Sequence, residues 1–94
     1  RAALLAVVVL AGCAAPAAYR EGQELVAQGR VTEGLALLEE ASRLEPAKAE
    51  YRVAVVQTRE RYVNALIDRA EALRRQGKLQ EAEQVFRQVL AVHG

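Results

Sequence analysis

Apolar residues recur at intervals of three and four along most of this chain, the spacing that places them on one face of an α-helix. In the stretch 31–44 they fall at Val31, Leu35, Leu38, Ala41 and Leu44, with Glu and Arg between them. In 79–92 they fall at Leu79, Ala82, Val85, Phe86, Val89 and Leu90. Between these two, Tyr51, Val55, Tyr62, Leu66, Ala70 and Leu73 keep the same phase with no Gly or Pro inside. That continuity predicts one helix of about 30 residues, or about 45 Å at the α-helical rise. Breaks occur at Gly29, at Pro46 and at Gly77. Pro46 also pushes Glu45 toward an extended backbone. The expected helices therefore cover 17–28, 31–44, 47–76 and 79–92. The fold class is all-α: antiparallel helical hairpins around one long central helix.

The beginning of the chain breaks this pattern. Ala2 to Gly12, "AALLAVVVLAG", is apolar without period and follows the single positive residue Arg1. A short apolar core behind a positive charge, ending in small residues, has the form of a secretory signal peptide. A spanning helix needs about 20 apolar residues. The uncharged stretch does continue to Tyr19, interrupted by Gly12 and Pro16, so a membrane-spanning helix stands as the alternative. Cys13 is the only cysteine, which excludes a disulfide within the chain, and no base stands near it to make a catalytic thiol. A free cysteine packed in an N-terminal helix is the other reading. Leu10-Ala11-Gly12-Cys13 resembles the lipobox of bacterial lipoproteins. That resemblance implies cleavage before Cys13, a diacylglycerol on its thiol and acylation of the new amino terminus. More than one acyl chain is what makes such an anchor stable, at about 0.8 kcal/mol per buried methylene. It divides the chain into a leader over 1–12, a lipidated residue and tether over 13–18, and a helical region over 19–94. Ala14 after the cysteine, where an Asp would retain a lipoprotein at the inner membrane, implies the outer membrane facing the periplasm.

Charge narrows the partners. The chain of 94 residues has 13 Lys and Arg against 12 Asp and Glu, leaving no basic surface for nucleic acid. Its abundant Glu, Gln, Arg, Leu and Ala are good helix formers, and pairs such as Glu71 and Arg75 have the spacing that supports a helix.

"LVAQGRVTEGLALLEEA" lies over "LRRQGKLQEAEQVFRQV" with a shift of 48 residues, matching Gln28 to Gln76, Gly29 to Gly77, Glu33 to Glu81, Gly34 to Ala82 and Leu38 to Phe86. Each copy reads as helix, Gly turn and helix, with a small residue that permits close approach. The spacing resembles the tetratricopeptide repeat: Gly22, Gly29, Gly34, Leu38, Ala41 and Pro46 in the first copy, and Ala70, Gly77, Ala82, Phe86 and Val89 in the second. That repeat normally recurs every 34 residues or about that length. The excess of about 14 residues falls in the long helix and is close to a whole number of turns, which would keep the apolar faces in phase. Gly94 stands where the motif has proline, and the usual Trp and Tyr of the first helix are missing. The family pattern implies a protein-binding surface on the first helix of each pair, at Tyr19 and Gln23, and at Asn64, Ile67, Glu71 and Arg74. A lipobox ahead of two such hairpins resembles the front end of secretin lipoproteins of bacterial secretion and pilus systems. Those form rings, implying a homo-oligomer in a full-length secretin.

Nothing here reads as an enzyme. One His, one Ser, one Asp and singly placed glycines supply no metal-ligand set, nucleophile relay or phosphate loop. No cofactor and no small-molecule substrate are expected. The rival reading is a structural anchor, spanning the membrane or self-associating through the long helix without lipidation. Two hairpins are fewer than such repeats generally need, so the chain is expected to be the front part of a longer protein.

Overall fold

The structure, a computed structural model, describes the backbone of residues 2–93 and the side chains of residues 13–92. The described residues form four helices: α1 (Ala2–Ala27), α2 (Val31–Leu44), α3 (Ala49–Arg75) and α4 (Leu79–His93). The all-α expectation holds, and α2 matches the stretch read from its apolar spacing. Helix α3 is 27 residues without interruption, close to the length its phase required. Glu45 leaves α2 at φ −132° and ψ 76°, the non-helical conformation that the following Pro46 imposes.

Helix α1 differs from expectation. It starts well before residue 17, and Pro16 lies inside it. The segment 13–18, expected as a tether, is helical, with Ala15 fully buried and Ala18 nearly so. Alanine runs carry no side-chain entropy into a helix, so the residues read as a linker propagate α1. The side chains of Leu10, Ala11 and Gly12 lie outside the described residues.

The chain forms two compact units, Arg1–Thr58 and Arg59–Gly94. In the first, α1, α2 and the opening turns of α3 share two buried clusters. Ala15, Ala18, Ala41 and Tyr51 make one, and Leu35, Leu38, Ala54 and Val55 make the other. Along α2 the order Ala41, Leu38, Leu35 is met by Tyr51, Ala54 and Val55 along α3, so these two segments run antiparallel. The second unit is one hairpin built on Leu66, Ala70 and Val85, with Tyr62, Leu73, Phe86 and Val89 packed against them.

That difference in neighbours accounts for α4. Its expected apolar face is only partly covered: Ala82 and Val85 are buried, Phe86 and Val89 half-buried, while Leu79 is 65 % and Leu90 71 % exposed. Helix α2 packs between two helical segments of its unit, whereas in unit 2 the described partner of α4 is the second half of α3. One neighbour covers a narrower stripe than two.

Candidate functional site

Both helix pairs turn in the same way. Gly29 has φ 86° and Gly77 φ 78°, the left-handed region open to glycine. The Gly29 N–H donates to the Val26 carbonyl at 3.0 Å and the Arg30 N–H to the Leu25 carbonyl at 2.9 Å. The Gly77 N–H donates to Arg74 and the Lys78 N–H to Leu73, each at 2.9 Å. This double bond pattern closes the orphan carbonyls at the end of the first helix and reverses the chain. The aligned glycines are therefore one turn built twice.

The small residues act at the helix crossing. A Cβ on Gly34 would stand 2.6 Å from the Gly22 carbonyl oxygen, 2.6 Å from Val26 Cγ2 and 2.9 Å from the Val26 nitrogen. A Cβ on Gly22 would stand 2.9 Å from the Gly34 oxygen. Helices α1 and α2 thus touch backbone to backbone, with Leu38 lying over Gly22. Sequence reading had Gly34 permitting close approach; its opposite number is Gly22. The matching residues of unit 2, Ala70 and Ala82, are both buried. Ala41 is fully buried and Pro46 is exposed in the corner between α2 and α3.

The residues expected to bind a partner divide between the units. In unit 1, Tyr19 is half-buried and packs against both clusters, its ring 4.8 Å from that of Tyr51 at 34°. Exposed Gln23 donates from Nε2 to the Tyr19 hydroxyl at 3.0 Å. The Tyr19 ring therefore serves the core, while its hydroxyl meets the exposed Gln23. Lys48 holds its ammonium 5.0 Å above the Tyr51 ring centre. A hydrogen bond to the Tyr51 hydroxyl, and then the negative charge that hydroxyl carries once ionised, raise the Lys48 pKa above the ordinary lysine value.

In unit 2, Asn64, Ile67, Glu71 and Arg74 follow one another at three- and four-residue steps and share one face of α3. Asn64, Ile67 and Arg74 are exposed, and Glu71 is half-buried. Arg74 donates from Nη2 and Nε to one Glu71 oxygen, at 2.7 and 3.2 Å, so Arg74, not Arg75, is the partner of Glu71 in this structure. This face offers an amide, an exposed aliphatic group and an exposed ion pair: the means to recognise polypeptide by hydrogen bonding and apolar contact.

Several buried residues escaped the sequence reading. Ala54, Thr58 and Val63 were missed on α3; the two beside bulkier apolar neighbours carry little period signal of their own. Thr58 is 2 % exposed and its hydroxyl has no hydrogen-bond partner. Cys13 is exposed, which sets aside a cysteine packed in the core. Among the described residues no helix is long and apolar enough to cross a membrane, and no three His, Cys, Asp or Glu side chains group as a metal would require.

Comparison with known proteins agrees with the doubled hairpin. The tetratricopeptide repeat family model matches residues 19–92, well over half of the chain. No curated protein and no solved structure matches it. Its helix pairs, glycine turns and family match together make this chain a member of the tetratricopeptide repeat family.

Proposed function

We propose that this chain is a protein-interaction scaffold of the bacterial envelope, held by lipid on Cys13 and facing the periplasm from the outer membrane. The interaction role follows from the repeat family, whose members mediate binding to other proteins. The anchor rests on Leu10-Ala11-Gly12-Cys13 standing at the end of an apolar, uncharged leader.

Pro16 carries the structural support. In a helix that runs through the leader, Pro16 forfeits its bond to residue 12 and its ring opposes that carbonyl, a cost of about 3 kcal/mol. In a helix beginning at Cys13, Pro16 is in the first turn, where no N–H has an intrahelical acceptor. Cleavage before Cys13 removes the residue that conflicts with Pro16 and leaves the buried Ala15 and Ala18 in place. The front end of a secretin-like component is the assembly this arrangement resembles.

The partner surface assigned is the α3 face of Asn64, Ile67, Glu71 and Arg74. A combined Asn64→Ala, Glu71→Ala and Arg74→Ala variant is expected to lose the partner that the unaltered chain retains after cross-linking in cells. Retention of every partner removes this assignment. For the anchor, the native product made in a Gram-negative host with labelled palmitate is expected to carry label and to begin at Cys13 by mass spectrometry. A Cys13→Ser variant should carry none. An unlabelled product with its leader uncut overturns the lipid reading.

The self-associating anchor is the second reading, favoured by Val53 and Val56, exposed at 48 % and 50 % on one side of α3. Sedimentation equilibrium distinguishes it: it requires a dimer that Val53→Glu with Val56→Glu abolishes.

A further inference from the structure

We infer that the corner between α2 and α3 in unit 1, formed by Leu44, Pro46, Ala47 and Lys48, rests on the bilayer surface, an inference that takes Cys13 as the acylated residue. The anchor joins a packed helix, so it fixes which end of the unit meets the lipid.

Distances within the unit carry the argument. Cys13 precedes Ala15 by two residues, about 3 Å along the helix axis. Ala15 is fully buried in one cluster with Ala41 and Tyr51. From Ala41 the antiparallel α2 runs three residues to its end at Leu44, about 4.5 Å in the same axial direction. The acylated sulfur and the end of α2 therefore reach the same level to within a few ångströms. A six-residue extended tether would instead reach about 20 Å. That is enough to lift the unit clear of the headgroups and let it turn freely. The buried Ala15 and Ala18 remove that freedom.

The surface so presented suits a bilayer. Leu44 is 37 % exposed, and Pro46 and Ala47 are exposed beside it, giving the corner an apolar tip. Its charges balance locally: Arg43 pairs with Glu40, Arg52 donates to the Pro46 carbonyl, Lys48 lies over Tyr51, and Glu45 and Glu50 are nearby on the chain. Contact is thus set by the attachment point and by apolar groups, and does not require anionic lipid.

The full chain supplies its own probes, since it has one cysteine and no tryptophan. Coupling the Cys13 thiol to a maleimide-bearing lipid in phosphatidylcholine vesicles fixes the anchor chemically, whether or not a cell acylates it. A tryptophan introduced by Ala47→Trp is expected to be strongly quenched by lipids brominated high on the acyl chain. One introduced by Arg30→Trp, at the far end of the α1–α2 hairpin, is expected to keep at least twice the fluorescence. Eight Gly and Ser residues inserted between Ala14 and Ala15 should bring the Ala47 reporter to the level of the Arg30 reporter. Equal quenching at the two positions without the insertion overturns the inference, as does quenching that appears only when phosphatidylglycerol is added. Failure of the lipid reading shows separately, in the palmitate experiment, because the coupling here does not depend on acylation in a cell.

Discussion

Replacing Gly34 by alanine tests the crossing of α1 and α2. On helix propensity alone the change would stabilise α2 by about 1 kcal/mol. The structure reverses the sign. The new Cβ would meet the Gly22 oxygen and Val26 Cγ2 at 2.6 Å and the Val26 nitrogen at 2.9 Å. Two of these atoms are backbone, so relief requires one helix to move away from the other along the cluster of Leu35 and Leu38. Overpacking of a well-filled contact typically costs about 1–3 kcal/mol. With backbone in the way the upper end applies, and subtracting the propensity gain leaves a net loss of about 2 kcal/mol. For a chain of this size that is a fall in Tm on the order of 10 °C.

Urea unfolding followed by circular dichroism reads the loss as a lower midpoint at unchanged slope. Gly29→Ala is the control. Its Cβ would meet nothing within 4 Å, and its loss, about 1–2 kcal/mol, comes from the left-handed backbone alone. Truncating Val26 to alanine should therefore recover part of the Gly34→Ala loss and none of the Gly29→Ala loss, with a coupling above about 0.5 kcal/mol. A neutral or stabilised Gly34→Ala, or strict additivity with Val26→Ala, refutes the close crossing.

Other expectations follow from single contacts. Thr58→Val removes a buried hydroxyl without a partner and should stabilise the chain by about 1 kcal/mol, seen as a higher urea midpoint. A double-mutant cycle of Tyr19→Leu and Tyr51→Leu should return a coupling of about 0.5–1.5 kcal/mol for the stacked rings, and zero coupling would contradict their contact. Lys48 has its pKa raised in the folded chain. The stability it adds is therefore present throughout the neutral range and below the free lysine value, and is lost as pH rises through its folded value. The stability difference between the parent and Lys48→Met should be flat from pH 6 to 9 and shrink in stronger alkali.

The helices were legible because their punctuation is chemical: Gly29, Pro46 and Gly77 each forbid or terminate a regular turn. The Gly34 crossing was legible for a similar reason, a lone glycine in an otherwise good helix former having few uses besides close approach. The start of α1 was not, since Pro16 reads equally as the first turn of a helix or as a break within one. Tyr19 is a binding residue in the family pattern; that its ring also packs against Tyr51, far along the chain, was not legible. A pairing of that kind leaves no local periodic trace. On α4, apolar spacing marked Leu79 and Leu90 alongside Ala82 and Val85, but spacing gives direction around a helix and cannot say how much of that side a neighbour covers.

The ion pairs Arg30–Glu33, Arg43–Glu40, Arg74–Glu71 and Arg87–Glu83 each join residues about one turn apart within one helix or, for Arg30, between a helix and its N-cap. None of these four decides which helix lies beside which; that choice belongs to the glycines, alanines and tyrosines inside. These four pairs can therefore be repainted, sign for sign, while the shape beneath them stays the same. A lineage could retarget the outside of such a molecule without ever renegotiating its interior.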